Sequence, residues 1–307
     1  MKKTSKPIVF FGSGPVAAAS LRLLAQDFTV EAVVTKPRPD HHKGDVPVLA
    51  AAEELALPIH TATSRQDLRA LFETKPFNST VGVLIDFGII VPQEVIDYFP
   101  LGIVNSHFSI LPEWRGADPI TFAILSGQEI TGVSLMFLVA AMDEGPLLAY
   151  GEQPLEPDTT TPVLTDQLIQ LSHALLVHEL PQYIEEGTTG GAPQTITGRK
   201  ISYSRKLTKD DGIIDWNKPA VQLEREIRAF IEWPKSRCTL GGIEVVITKA
   251  HVANDSGPAG HTLTINKLPA VYCGQQSLVI DRLKPAGKPE MDGQAFLAGY
   301  KQKFLGR

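Results

Sequence analysis

Through the first half of the chain, short apolar blocks alternate with turn residues and with stretches of helical spacing. The first block is Ile8-Val9-Phe10-Phe11. Apolar runs of this length, bounded by turn signals, read as strands buried on both faces. Gly12-Ser13-Gly14-Pro15 turns the chain, and residues 16–26 then repeat apolar positions at helical spacing. The rhythm continues with strands over 28–35, 58–60, 81–85 and 132–139, helices over 48–55, 66–73, 93–98 and 117–125, and a long amphipathic helix over 165–186. A further strand starts at Gly102-Ile103-Val104. Strands alternating with helices predict an α/β architecture with a doubly wound, mostly parallel sheet.

The pattern changes after a Gly/Thr-rich stretch, Gly187-Thr188-Thr189-Gly190-Gly191. Residues 189–207 read as a linker between a first domain, 1–188, and a second, 208–307. The second domain opens with a helix over 221–230. Past Trp233-Pro234 come short strands over 238–240, 244–250, 262–266 and 277–283, separated by Gly and Pro turns. That pattern predicts a small β-barrel.

The length of 307 residues accommodates two domains, and 43 % hydrophobic with 21 % charged residues is the balance of an ordinary globular protein. No apolar run approaches the ~20 residues needed to span a bilayer. The basic start is followed by an apolar segment that Gly12-Ser13-Gly14-Pro15 breaks at once, a poor signal peptide. Cys238 and Cys273 have no ligand-like spacing and read as reduced, structural thiols. The expectation is a cytoplasmic monomer with no membrane partner. His41-His42 sits in a polar loop and reads as solvated, and no Cys/His cluster supports a metal. The Gly12-Ser13-Gly14-Pro15 turn lacks the third glycine of a dinucleotide fingerprint, so a structural turn is expected there.

A net charge of −5 argues against a generic nucleic-acid binder. Its distribution says more. Residues 1–204 carry 13 Lys+Arg against 23 Asp+Glu, a net −10, and residues 205–307 carry 16 against 11, a net +5. A basic C-terminal third fits a polyanionic partner, and it also fits scattered surface cations.

The densest chemistry lies between Asn105 and Arg115. Asn105 and His107 are two residues apart where a strand ends, so they share one face. Ligands of open α/β sheets bind at the carboxyl ends of strands. An amide donor beside an imidazole can hold a developing oxyanion and manage a proton at one centre. Asp143 follows the 132–139 strand just before a Gly-Pro turn. If the two strands are neighbours, it can face His107 and orient its ring or favour its charged form.

Asn105-Ser106-His107, Ser109-Ile110-Leu111-Pro112 and the later Asp143 resemble the formyltransferase family that uses 10-formyltetrahydrofolate. Trp114-Arg115-Gly116-Ala117-Asp118-Pro119-Ile120 and Phe87-Gly88-Ile89-Ile90-Val91-Pro92 are similar to segments of the members that formylate initiator methionyl-tRNA. The likeness extends through Ile214-Asp215-Trp216 and Trp233-Pro234 to Lys284-Pro285-Ala286-Gly287-Lys288.

The resemblance implies a formyltransferase-type Rossmann-like domain followed by an OB-like barrel. It also implies catalysis by Asn105, His107 and Asp143, and 10-formyltetrahydrofolate as co-substrate with no metal. Ser109, Ile110, Leu111 and Pro112, with the backbone near Phe87, Gly88, Ile89 and Val91, would border the folate. The acceptor would be the α-amine of initiator methionyl-tRNA, giving formylmethionyl-tRNA for translation initiation. Lys36, Arg38 and Lys43 are candidates for reaching its acceptor end, and Lys206, Lys209 and Lys249 for further contacts. A solvated loop is the competing reading of the first three. An amino sugar nucleotide is the alternative acceptor, and a non-enzymatic binding module is the more distant alternative. The chain departs from the family pattern at Asp86, Phe108, Ile110 and Asp118, where a small residue, Gly, Leu and Ala are usual.

Overall fold

The computed structural model describes residues 4–39, 44, 46–74, 77–187 and 190–306. Contacts group the chain into two compact units. One combines Met1–Pro119, Ile130–Pro154 and Thr165–Ser204; the other combines Ile120–Glu129, Leu155–Leu164 and Arg205–Arg307.

The elements of the first part of the chain are β1 (Thr4–Phe11), α1 (Pro15–Asp27), β2 (Phe28–Thr35), α2 (Pro47–Glu54), β3 (Ile59–Thr61), α3 (Arg65–Glu73), β4 (Gly82–Leu84), α4 (Gln93–Ile96) and β5 (Ile103–His107). They are followed by β6 (Arg115–Gly116), α5 (Pro119–Ser126), β7 (Ile130–Phe137), β8 (Leu147–Pro154), α6 (Thr161–Glu186) and β9 (Tyr203–Ser204). A seven-stranded sheet has the order β3-β2-β1-β4-β5-β7-β8. The strands from β3 to β5 are parallel, and β7 and β8 are antiparallel to their neighbours.

Local chemistry explains the starts of two helices. Pro15 stands in the first turn of α1, where its missing N–H costs nothing. Ser64 and Asp67 form a reciprocal capping box on α3. The sheet centre is dry: Ile8, Val9, Phe10 and Phe11 are wholly buried. Phe11 packs on Phe72, Phe87 and Phe99 with ring centroids 5.9, 5.7 and 6.0 Å away.

The second unit contains α7 (Ala220–Ala229), β10 (Ser236–Leu240), β11 (Ile243–Ala253), β12 (Thr262–Ile265), β13 (Leu268–Tyr272), β14 (Ser277–Pro285), β15 (Met291–Asp292) and α8 (Gly293–Phe304). Its six-stranded antiparallel sheet has the order β10-β11-β14-β13-β12, with β15 on β14. Leu223, Ile227, Val245, Ile280 and Phe296 belong to one core against that sheet. Burial pushes the Cys238 thiol up to about 12 and that of Cys273 up to about 11, as inert structural thiols require. Among the described residues, no helix is long and apolar enough to cross a membrane.

Besides the two-residue strands β6, β9 and β15, three longer elements escape the sequence pattern. β8 is an edge strand whose burial alternates, so Leu147-Leu148-Ala149-Tyr150-Gly151-Glu152 gives no apolar block. β13 begins next to β12 after a two-residue turn in which Asn266 and Lys267 both take positive φ, a turn the sequence leaves without its usual glycine. α8 starts at a glycine, but Asp292 accepts from the Ala295 N–H, and Phe296, Tyr300 and Phe304 repeat every four residues. That cap and spacing were the legible signal.

Replacing Phe11 by Ala should destabilise the protein by about 3–5 kcal/mol, the range for truncating a buried aromatic. A lowered urea midpoint would register it.

Candidate active site

β4 and β5 pair in parallel with Leu84 opposite Asn105. On its other side β5 meets β7 antiparallel, with Met136 opposite Asn105 and Ser134 opposite His107. Strand alternation then sorts the side chains. Ser106 points to the helical layer, where its hydroxyl lies 2.7 Å from that of Ser172 on α6. Asn105 and His107 share the opposite face and are each about 7 % exposed. His107 Nε2 lies 3.0 Å from the Trp114 carbonyl, which can only accept, so this nitrogen carries the proton. Nδ1 faces Asp143 Oδ1 at 3.8 Å, a charge contact longer than a hydrogen bond. The other carboxylate oxygen accepts from the Gly116 N–H at 2.8 Å.

Asp143 reaches this place by a route that the sequence does not show. β7 is antiparallel, so its last residue, Phe137, lies beside Val104 near the start of β5. The following segment must double back before Asp143 meets His107. Asp143 takes φ 52° there.

The returning segment is tied down by residues expected to be linker. The Gln194 amide donates to the carbonyls of Asp143 and Gly145 at 2.8 and 2.9 Å. Its oxygen accepts from buried Arg115 at 2.7 Å, and Arg115 also pairs with Glu144 at 3.2 Å. β6 pairs in parallel with β9, and Ser202 Oγ accepts from the Trp114 N–H at 2.9 Å. Gly116 sits at φ 116°, where an added Cβ would stand 2.3 Å from the Ser204 carbonyl. Only glycine permits this approach. None of this anchoring was legible: Gln194 and Ser202 follow no periodic pattern.

The residues expected at a folate divide sharply. Ser109, Ile110, Leu111 and Pro112 are buried. Ser134 holds this loop by donating to the Ser109 carbonyl and accepting from the Leu111 N–H. Phe87 and Val91 face the core, whereas Gly88 is exposed and Ile90 between them is 56 % exposed. Ile89 is half-buried. Phe108 is buried rather than presented to solvent.

Of the expected tRNA-contacting cations, Lys36 is half-buried. Its Nζ lies over Gly88, 2.8 Å from where a Cβ would stand, and its charge acts on Asp86. Arg38 is exposed, and Lys43 falls outside the described residues. Lys206, Lys209 and Lys249 are exposed on the second unit. A cavity of about 580 Å³ in that unit is lined in part by Lys235, Arg237 and Lys284, three cations not among the expected tRNA contacts. Asp86 reaches solvent from a recess crowded by protein, and this desolvation raises its carboxyl to about 6.

Asn105 has no side-chain hydrogen bond among the described residues, so a buried amide stands ready for a ligand beside an oriented imidazole. Such a pair can stabilise an oxyanion and pass a proton.

Comparison with known proteins is consistent across the chain. Residues 6–180 match the formyl transferase family, and residues 206–301 match the formyl transferase C-terminal domain. A methionyl-tRNA formyltransferase of Roseiflexus sp. (strain RS-1) is 37 % identical over 290 residues, covering 92 % of this chain and 88 % of that protein. The methionyl-tRNA formyltransferase of Pseudomonas entomophila is 33 % identical over 305 residues, with 97 % of each chain covered. Among solved structures, an N-formyltransferase from Helicobacter canadensis in complex with folinic acid and dTDP-3-aminofucose superposes with a TM-score of 0.65. It is 16 % identical and covers 89 % of this chain and 98 % of that one, a likeness of fold.

Replacing Gln194 by Ala strips a donor from the buried Gly145 carbonyl and another from the half-buried Asp143 carbonyl and should cost about 1–3 kcal/mol. Thermal melting would measure the loss. Hydrogen exchange should rise first in the 138–146 segment.

Proposed function

The chain belongs to the formyl transferase family, and from that premise we propose that it moves the formyl group of 10-formyltetrahydrofolate to the α-amine of initiator methionyl-tRNA. The observation that carries this reading is Asn105 and His107 on one strand face, with Asp143 brought to the imidazole by a loop that has to return to reach it. The acceptor assignment is supported by relatives named methionyl-tRNA formyltransferase that match over most of both chains.

In this reading the acceptor nitrogen forms a bond to the formyl carbon, and the bond from that carbon to the folate nitrogen breaks. Negative charge develops on the formyl oxygen in between. The Asn105 amide donates to that oxygen from a site already largely dehydrated, where a preset donor needs no reorganisation. His107 is the proton carrier, and in its charged form it sets positive charge beside that oxygen. Its ring cannot swing freely, because Trp114 and Asp143 hold opposite nitrogens. Asp143 is a positioning residue, itself fixed by Gly116 and Gln194. Because the side chains of Ser109, Ile110 and Leu111 are enclosed, this loop serves the folate by shaping the wall around it. Folate contact falls instead to the outward backbone near Gly88 and Ile89.

The second unit supplies tRNA affinity through charge, with Lys206, Lys209 and Lys249 among its phosphate contacts. The amino sugar nucleotide reading shares the donor half of the site and differs in the acceptor, so one assay separates the two. Purified protein is offered charged initiator tRNA and an amino sugar nucleotide side by side. Formylation of the tRNA is expected, and formylation of the sugar alone would reject the proposal. The neighbour carrying dTDP-3-aminofucose is too distant in sequence to favour that acceptor.

Asn105→Ala and His107→Ala should each lower the formylation rate by about 10²–10³-fold, the loss typical of one oxyanion donor, with the melting temperature retained. For the second unit, tRNA binding should weaken steeply with salt as counterions are released. Replacing Lys206, Lys209 and Lys249 together should flatten that slope and leave folate binding unchanged. Filter binding across a salt series measures it.

A further inference from the structure

Two departures from the family pattern, Asp86 and Asp118, lie in the first unit near enough for the charge of Asp118 to act on the Asp86 carboxyl, and the mechanism above uses neither. Asp86 follows β4 by two residues. Because Leu84 is level with Asn105, the chain leaves β4 beside the His107 end of β5. Neighbouring strands lie only about 4.8 Å apart.

Asp86 is held there firmly. It takes φ 47°. Its carbonyl accepts from the Ser13 N–H at 3.0 Å and from the Ser13 hydroxyl at 3.2 Å, and that hydroxyl in turn accepts from the Gly88 N–H at 3.2 Å. Its carboxylate lies over Gly14, where a Cβ would stand 1.8 Å from Oδ2. Glycine at 14 therefore makes room for an acid at 86. Charged groups reach this carboxylate from two directions: Lys36 just beyond β2, and Asp118 just ahead of α5. The first turn of α1 adds the partial positive charge of a helix N-terminus.

Methionyl-tRNA arrives partly as an ammonium ion, and only the neutral amine has a lone pair to attack with. Resting on the acceptor assigned above, we propose that Asp86 is the general base that takes a proton from the acceptor's α-ammonium, with Lys36 and Asp118 tuning it. The nitrogen gives one proton to the Asp86 carboxylate and uses the freed pair to bond the formyl carbon. Its next proton leaves with the departing folate nitrogen, and Asp86 returns its own to solvent. A base works best when its pKa lies near the working pH. Desolvation, first among the causes, and Asp118 push this carboxyl up, Lys36 pulls it down, and the result is about 6.

The test is kcat/KM for charged initiator tRNA at saturating 10-formyltetrahydrofolate between pH 5.5 and 9. The wild-type profile should rise through about pH 6. Asp86→Asn should lose roughly 10²-fold or more at pH 6.5. At pH 9 it should come within a few-fold of wild type, because an α-amine, which ordinarily titrates near pH ~8, is then already neutral. Asp118→Asn should move the wild-type limb to lower pH and Lys36→Met to higher pH. These shifts are read from the position of the limb, so weaker tRNA binding does not obscure them. A carboxylate that merely caps α1 would give Asp86→Asn the same deficit at every pH, and that result overturns the inference alone. If Asp86→Asn does not fold, unmoved limbs in both other variants overturn it equally. A wild-type protein that leaves charged tRNA unformylated at every pH overturns the acceptor assignment, and this inference with it.

Discussion

The whole site depends on the register between β4 and β5. Parallel pairing sets Leu84 against Asn105, and the period of two along a strand does the rest. Asn105 and His107 face one way, and Ser106 faces α6. A slip of one residue would exchange these faces. It would put the imidazole into the helical layer and a serine over the site. The wall of buried aromatic and aliphatic side chains behind β1 and β4 makes that slip costly, because every strand side chain would move with it.

A sheet can place the first two groups but not the third. Asp143 comes from a segment that leaves an antiparallel strand at the far end of β5, and no local preference brings it back. The protein solves this with long-range hydrogen bonds. Gln194 clamps the backbone on either side of Glu144, Arg115 bridges that amide to the Glu144 carboxylate, and Gly116 offers its N–H to Asp143 because nothing on its Cα obstructs Ser204. Apart from the exposed Glu144 carboxylate, the groups in this network are buried or half-buried, which makes an unmade bond expensive and the arrangement stiff. Residues 194–204, outwardly an ordinary polar stretch, therefore govern the catalytic geometry as closely as the strands do.

The charge around the site is organised as well. Lys36, a candidate for the tRNA acceptor end with a solvated loop as the competing reading, has its ammonium over Gly88, and its charge acts on Asp86. Ser13 and Gly14, in a turn too short to hold a dinucleotide, instead seat the Asp86 backbone and admit its carboxylate. Two acids that look like isolated departures along the chain thus act on each other in space.

Much of the molecule was decided by the sequence alone. β1, β2, β4 and β5 each carry a short apolar block, because parallel strands are covered on both faces, so their positions and the fold class followed directly. Asn105 and His107 could be paired from their spacing, since strand periodicity is a local property. Tertiary structure decided what local periodicity does not carry: the antiparallel direction of β7 and the half-exposed edge strand β8. It also decided the partnership of Asp143 with His107, the use of Gln194, and the meeting of Asp86 with Lys36 and Asp118. These depend on which distant segments share a strand end, and packing of the whole sheet settles that.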